Sequence, residues 1–142
     1  MRKVTTRRLI DAPVETVFDL LADRENYSTY LPLTARLVRP GVDSRQGVGA
    51  IHRLGLGPVG VREKIVEVRP EQSIRYELVT GRLPVREHSG EISFVPHGAS
   101  TQVDYSMATD LKLPVPGLLV DGALRVFTFA MLWFANRKLR RA

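Results

Sequence analysis

The 142-residue chain is 44% apolar and 25% charged, a globular balance that suits one domain, residues 1–142, with one substantial core. It contains no cysteine, which excludes a disulfide scaffold, a thiolate metal site and a cysteine nucleophile. The net charge of +6 sits at the ends: Arg2, Lys3, Arg7 and Arg8 open the chain, Arg137, Lys138, Arg140 and Arg141 close it, and the body between has slightly fewer bases than acids.

No basic face interleaved with aromatic contacts is visible, so a nucleic-acid partner is not expected. The basic ends serve solubility or a weak attraction to anionic membrane. MRKVTTRRLIDAP has no apolar run before its first acid, unlike a signal peptide, and a cytoplasmic location is expected.

Residues 3–10 (KVTTRRLI) predict a first strand from their β-branched content. In DAPVETVFDLLADRENYSTYLP, Pro13 suits a first helical turn, Asp11 stands where it could cap, and Glu15 favours the helix dipole. Val14, Val17, Phe18 and Leu21 recur at helical spacing. Asp23 to Asn26 break that pattern, and Tyr27, Tyr30 and Leu31 predict a short second helix ending before Pro32. Two helices this small cannot form a core alone and must close over something.

From residue 33 to 110 the chain reads as strands: TARLVRPG, QGVGAIHRLG, VGVREKIVEVRPE, SIRYELVTG, REHSGEISFVPHG and STQVDYSMATDL. The separators RPEQ, TGRLP and PHGAS carry turn chemistry. No helix fits between these strands, which excludes parallel crossovers and predicts a curved antiparallel sheet. GLGPVG at 55–60 satisfies G-x-G-x-x-G, but the following VREKIVEVRPE alternates as a strand. With no helix N-terminus to receive a pyrophosphate, the dinucleotide reading fails. Pro58 suits a tight connection between strands.

PVPGLLVDGALRVFTFAMLWFANRKLRRA predicts one long helix started by Pro116. On a wheel Leu119, Ala123, Val126, Phe127, Ala130, Trp133 and Phe134 share one broad face. Asp121, Arg125, Thr128 and Asn136 lie opposite, with Asp121 and Arg125 spaced to pair. The helix approaches membrane-spanning length, but a spanning helix would have to bury Asp121 and Arg125, so a core helix is the better reading and no transmembrane segment is expected.

Strand alternation sorts the polar residues. His88, Gly90, Ile92 and Phe94 oppose Glu87, Ser89, Glu91 and Ser93. Tyr76 travels with Ile74 and Leu78, Tyr105 with Val103 and Met107, Glu63 with Val61 and Ile65, and His52 with Ala50 and Leu54. His52, Glu63, Tyr76, His88 and Tyr105 are therefore predicted inward. A buried carboxylate is costly unless paired, so Glu63 needs a partner, which His88 or His52 could supply, or a ligand donor. The adjacent apolar pair Ile65 and Val66 predicts a bulge. No serine–histidine–acid order or phosphate loop occurs, the three histidines lack metal-ligand spacing, and neither a metal nor a cofactor is expected.

The order strand, two short helices, antiparallel strands and long C-terminal helix, with DAPVETVFDLLADRENY at 11–27, resembles the START-like superfamily. RENYSTYLP at 24–32 and RLPVREHSGEISFVP at 82–96 are similar to its polyketide cyclase/dehydrase and lipid-transport group. The resemblance spans essentially the whole chain. It implies an α+β helix-grip fold, a curved sheet wrapped around the long helix, with a ligand cavity between them. Small residues on the helix, Gly122, Ala123 and Ala130, leave room for such a cavity.

A hydrophobic, lipid- or polyketide-like small molecule is the expected partner. Tyr27, Tyr30 and Leu31 are expected at the entrance. Val61, Tyr76, Leu78, His88, Ile92, Tyr105, Leu119, Ala123, Val126, Phe127 and Ala130 are expected in the walls, with His52 and Glu63 as further inward polar groups. Three function classes stay open: a carrier or sensor, a cyclase/dehydrase-like enzyme using Glu63 or His88 as acid or base, and a peripheral lipid-associated protein.

Overall fold

The computed structural model describes residues 2–81 and 85–140. Arg82, Leu83 and Pro84 of the expected TGRLP turn, and Arg141 of the basic end, lie outside the described residues. The elements run β1 (Arg2–Ile10), α1 (Val14–Ala22), a short 3-10 helix (Arg24–Thr29), β2 (Thr34–Arg39), β3 (Ile51–Leu56), β4 (Val59–Arg69), β5 (Ser73–Gly81), β6 (Val85–His97), β7 (Ser100–Leu111) and α2 (Gly117–Arg140).

The seven strands form one antiparallel sheet in the order β1-β7-β6-β5-β4-β3-β2. From β2 to β7 it is a meander, and β1 returns to pair along β7 from Arg2↔Thr109 to Ile10↔Thr101. The helices lie on the concave side, which is the helix-grip arrangement. The GLGPVG segment is the β3–β4 turn. Gly57 takes φ 59 there, as the first central position of a two-residue hairpin requires. Pairing slips between Ile65 and Glu67, so Val66 is the predicted bulge.

Alternation holds on the strands. His52, Glu63, Tyr76 and Tyr105 are buried, and β6 buries Gly90, Ile92 and Phe94 while exposing Glu91. One half of the concave face is filled solid. There Val17, Phe18 and Leu21 of α1 meet Ile10, Phe94 and Val103 from the sheet and Leu132 and Ala135 from the end of α2. Phe18 and Phe94 pack edge to face at 5.4 Å.

Two local expectations fail. Asp11 does not cap α1: the cap residue is Pro13, with no side-chain bond, and the Asp11 N–H donates instead to Asn136 Oδ1 at 3.1 Å. The faces of α2 are also turned from the wheel reading. Thr128 and Asn136, expected in solvent, are buried, while Val126 and Trp133, expected in the core, are exposed. The cause is hydrogen bonding. Thr128 and Thr6 share a bond between hydroxyls at 2.6 Å, and Thr128 can donate to the Leu124 carbonyl at 2.9 Å. A polar residue with partners is cheaper to bury than the wheel assumes. Asp121 does not rely on Arg125. Arg2 from β1 grips it with two bonds, 3.0 and 2.6 Å.

By length and composition α2 could cross a membrane. Its bonds to β1 and to the link before α1, through Thr128 and Asn136, identify it as the core helix of the domain.

Thr128 therefore tests the placement of α2. Thr128→Glu should cost about 3 kcal/mol or more, as an unpaired charge in a dry contact does, read as a fall in the urea midpoint. An outward Thr128 would tolerate the change.

Candidate functional site

The other half of the concave face is not filled. Beneath α2, from Leu119 to Phe134, the sheet encloses a cavity of about 620 Å³. Its walls are Leu54, Leu56 and Val61 from the β3–β4 hairpin, Leu78, Val85, Met107 and Leu111 from the following strands, and Leu119, Ala123, Leu124, Phe127, Ala130, Met131 and Phe134 from α2. Leu31, Pro32 and Leu33, just after the 3-10 helix, close one side. The lining is apolar almost throughout, and Ala123 and Ala130 stand where larger side chains would project into the space.

The polar exception is a cluster contributed by Glu63, Tyr76, His88, Tyr105 and Thr109. Strand register gathers these groups: His52 pairs with Glu63, Tyr76 with Gly90, Ile92 with Tyr105, and His88 with Thr109. Behind them, away from the cavity, lies Arg24. Its Nη2 donates to Glu63 Oε1 at 2.5 Å, and both side chains are almost completely buried. The guanidinium stacks on the Tyr76 ring at 4.4 Å and on the Tyr27 ring at 5.6 Å, so aromatic faces replace much of the hydration it lost.

Burial alone would raise the Glu63 carboxyl, but the Arg24 charge, helped by His88, outweighs it and holds the group below its ordinary value. Burial likewise works against the Arg24 charge, and Glu63 more than restores it. Both groups are ionised.

His88 Nε2 lies 3.5 Å from the other Glu63 oxygen, and His88 Nδ1 bonds the Thr109 hydroxyl at 2.6 Å. An ionised carboxylate only accepts, so a proton on Nε2 faces Glu63, and in that tautomer Nδ1 accepts from Thr109. Its side chain is 16% exposed, reachable from the cavity. Beside it the Tyr76 and Tyr105 hydroxyls share a 2.6 Å bond. Burial pushes both phenols upward, so both keep their protons. A Cβ on Gly90 would run into the Tyr76 ring, which explains a glycine within a buried strand face.

The structure brings many of the residues singled out in the sequence to the cavity wall and places others elsewhere. Leu31, Val61, Glu63, Tyr76, Leu78, His88, Tyr105, Leu119, Ala123, Phe127 and Ala130 line the cavity. Val126 faces outward and is 70% exposed. Ile92 is in the solid core. Tyr27 is not at an entrance: it is buried, and its hydroxyl donates to the Leu21 carbonyl at 2.5 Å. Tyr30 packs edge to face on Tyr27 at 5.9 Å, outside the cavity lining.

His52 is buried beside Glu63 but turns away from it. Its Nε2 meets Gln46 Oε1 at 3.1 Å, and Gln46 in turn accepts from the Glu25 N–H and donates to Asp23. His52 thus fastens the loop before β3 to the 3-10 helix. The expected partner of Glu63 is half right, since His88 is near, but the main one is Arg24. Arg24 and Thr109 carry no spacing signal in the sequence. The only pointer to Arg24 is the demand of a buried Glu63 for a cation.

The mouth is apolar. Leu56, Val115, Leu119 and Phe127 line the cavity and are also exposed.

A family model described as polyketide cyclase/dehydrase and lipid transport matches residues 1–142. Among solved structures, a START superfamily protein of Mycobacterium smegmatis is 19% identical, with 99% of each chain covered and a TM-score of 0.88. A protein of Thermus thermophilus is 23% identical, covering 98% of this chain and 97% of that one, TM-score 0.80. The ZhuI aromatase/cyclase of a Streptomyces species is 17% identical, covering 99% and 94%, TM-score 0.82. No curated protein matches.

Removing one member of the buried pair strands the other. Glu63→Gln and Arg24→Met should each cost about 3–5 kcal/mol in chemical denaturation. Arg24→Met with Glu63→Met should recover part of that loss, because no charge is left buried.

Burial first, and the Arg24 charge second, push His52 down from 6.5 to about 4. The unfolded chain takes this proton near 6.5 and the folded protein only near 4. Stability from neutral His52 is therefore intact above about pH 6.5 and drains away as pH falls toward 4. Thermal melts across that window should show the slope in the wild type and a flatter one in His52→Gln. Glu63, held below its ordinary 4.5 in the folded protein, adds its own loss as pH falls below about 4.5.

Proposed function

The chain belongs to the polyketide cyclase/dehydrase and lipid transport family, and from that premise we propose that it binds a hydrophobic small molecule, lipid- or polyketide-like, as a carrier or sensor. The observation that carries this reading is the apolar cavity of about 620 Å³, within the range of small-molecule sites, with its polar groups gathered at one wall. A ligand seated there leaves its apolar body against α2 and the β3–β4 hairpin. A hydroxyl or carbonyl at its inner end meets His88, Thr109 and the paired tyrosines.

In this reading the polar wall orients the ligand. Glu63 is already committed to Arg24, and both nitrogens of His88 are engaged. A second reading, proton transfer by His88, is favoured by one observation: its imidazole lines the cavity and contacts an ionised carboxylate. Thr109 would first have to release Nδ1 to a substrate proton. The ZhuI protein is named an aromatase/cyclase, which makes ring closure of a polyketide the reaction to assay under this alternative.

Native mass spectrometry of the purified protein, with solvent extraction of what travels with it, tests the main reading. A stoichiometric apolar adduct, lost on denaturation, is expected. Ala123→Phe or Ala130→Phe should cut uptake at least about tenfold, since each places a ring inside a fitted cavity, with the thermal midpoint nearly unchanged. A clean mass with no uptake of apolar probes would reject a ligand cavity. His88→Ala separates the two readings: an anchor loses affinity, whereas an acid or base loses turnover and keeps binding.

A further inference from the structure

α2 carries a third apolar face, which neither the core nor the cavity uses. Leu118, Gly122, Val126, Phe129 and Trp133 follow one another at intervals of three and four residues along its outer side. Leu118 is 82% exposed, Val126 70%, Phe129 55% and Trp133 38%. A water-facing side of a helix is ordinarily polar.

Cations border this stripe. The Arg8 guanidinium lies 5.9 Å from the Phe129 ring, and that of Arg137 5.4 Å from the Trp133 ring. Arg125 is exposed at the side, and Lys138 and Arg140 follow at the C-terminal end. Asp121 is the only acid from residue 112 to residue 140, and Arg2 already grips it.

We propose that the outer face of α2 rests on the surface of an anionic lipid bilayer, lying in the interface without crossing it. An aromatic and aliphatic stripe flanked by arginine and lysine has the composition of an interfacial helix: the rings enter the headgroup boundary, and the cations stay with the lipid phosphates. The sign of the charge argues against a second copy of the chain as the occupant. Parallel stripes would set one Arg137–Arg140 cluster against the other. Antiparallel stripes would set each cluster near Lys112 and an Asp121 that Arg2 already holds. Neither arrangement offers a free acid on the helix.

The mouth of the cavity borders the same face, because Leu119 and Phe127 line the cavity and neighbour Leu118 and Val126 on the helix. Docking would bring that opening to the edge of the lipid layer. The surface itself is independent of whether the cavity holds a ligand.

Trp133 is the only tryptophan in the chain, so its emission reports directly on this face. The full chain is mixed with phosphatidylcholine vesicles and, separately, with phosphatidylcholine–phosphatidylglycerol vesicles, and emission and flotation are measured. A blue shift with co-flotation is expected only with phosphatidylglycerol, reversed by high salt. Val126→Glu with Phe129→Glu should abolish both signals, and Arg137→Glu with Lys138→Glu should weaken binding at least about tenfold. These side chains are exposed, so both variants should melt as the wild type does. Should the first pair fail to fold, the second carries the test.

No shift with phosphatidylglycerol, an equal shift on neutral vesicles, or undiminished binding by both variants would each overturn the proposal. So would a blue-shifted emission without lipid that reverts on dilution as a dimer dissociates, which would assign the face to a second copy. Apolar-ligand uptake measured on the same variants separates this result from the cavity reading: loss of vesicle binding with uptake retained is the expected pattern.

Discussion

The concave side of the sheet is organised around one buried ion pair. Arg24 arrives on a short 3-10 helix, Glu63 on β4, and their 2.5 Å contact joins the only segment between α1 and β2 to the middle of the sheet. An unpaired charge in either place would be prohibitive, so each residue is tolerable only because the other is there. The pair also dictates its surroundings. Tyr27 and Tyr76 face the guanidinium, Gly90 makes room for the Tyr76 ring, and Tyr105 satisfies the Tyr76 hydroxyl. The second oxygen of Glu63 is left for His88. What results is a polar partition. On one side of it the core is solid, and on the other is the cavity.

The partition explains how a domain this small can keep an opening of this size. A sheet curved over a helix leaves more space than side chains of ordinary size fill, and the normal outcome is collapse. Here α1 and the C-terminal half of α2 fill one end, and Arg2, Thr6 and the Asp11 backbone tie α2 to the β1 edge along its length. The helix cannot tilt into the cavity without breaking those bonds. Ala123 and Ala130, in turn, do not reach across it.

How much of this was legible depended on the periodicity involved. A strand with one face in water gives a two-valued signal, and His52, Glu63, Tyr76, His88 and Tyr105 were all assigned inward from it correctly. Even the bulge at Val66 was visible as two adjacent apolar residues. The long helix defeated the same logic, because it is apolar toward the core, toward the cavity and toward the outside. A wheel that seeks one apolar face then averages over three. It buried Val126 and exposed Thr128, although hydrogen bonds put Thr128 inside. Arg24 was out of reach for another reason. Glu63 demanded a cation, but only the path of the chain decides which of 21 basic residues arrives beside it.

Of the three apolar faces on α2, the domain itself requires two. A core helix of a domain this size needs one apolar stripe, and a helix that also roofs a cavity needs a second beside it. The core takes Leu132 and Ala135, the cavity takes Leu119, Ala123, Phe127 and Ala130, and Leu124 and Met131 serve both. Neither explains Leu118, Val126 or Phe129, where lysine or glutamate would cost nothing in packing and would improve solubility. Large side chains kept in water carry a standing free-energy cost that the fold does not repay. The neighbouring arginines, whose guanidinium groups lie over the Phe129 and Trp133 rings, reduce that cost without removing it. Among the surroundings of α2, the outer one is the one the domain itself does not supply.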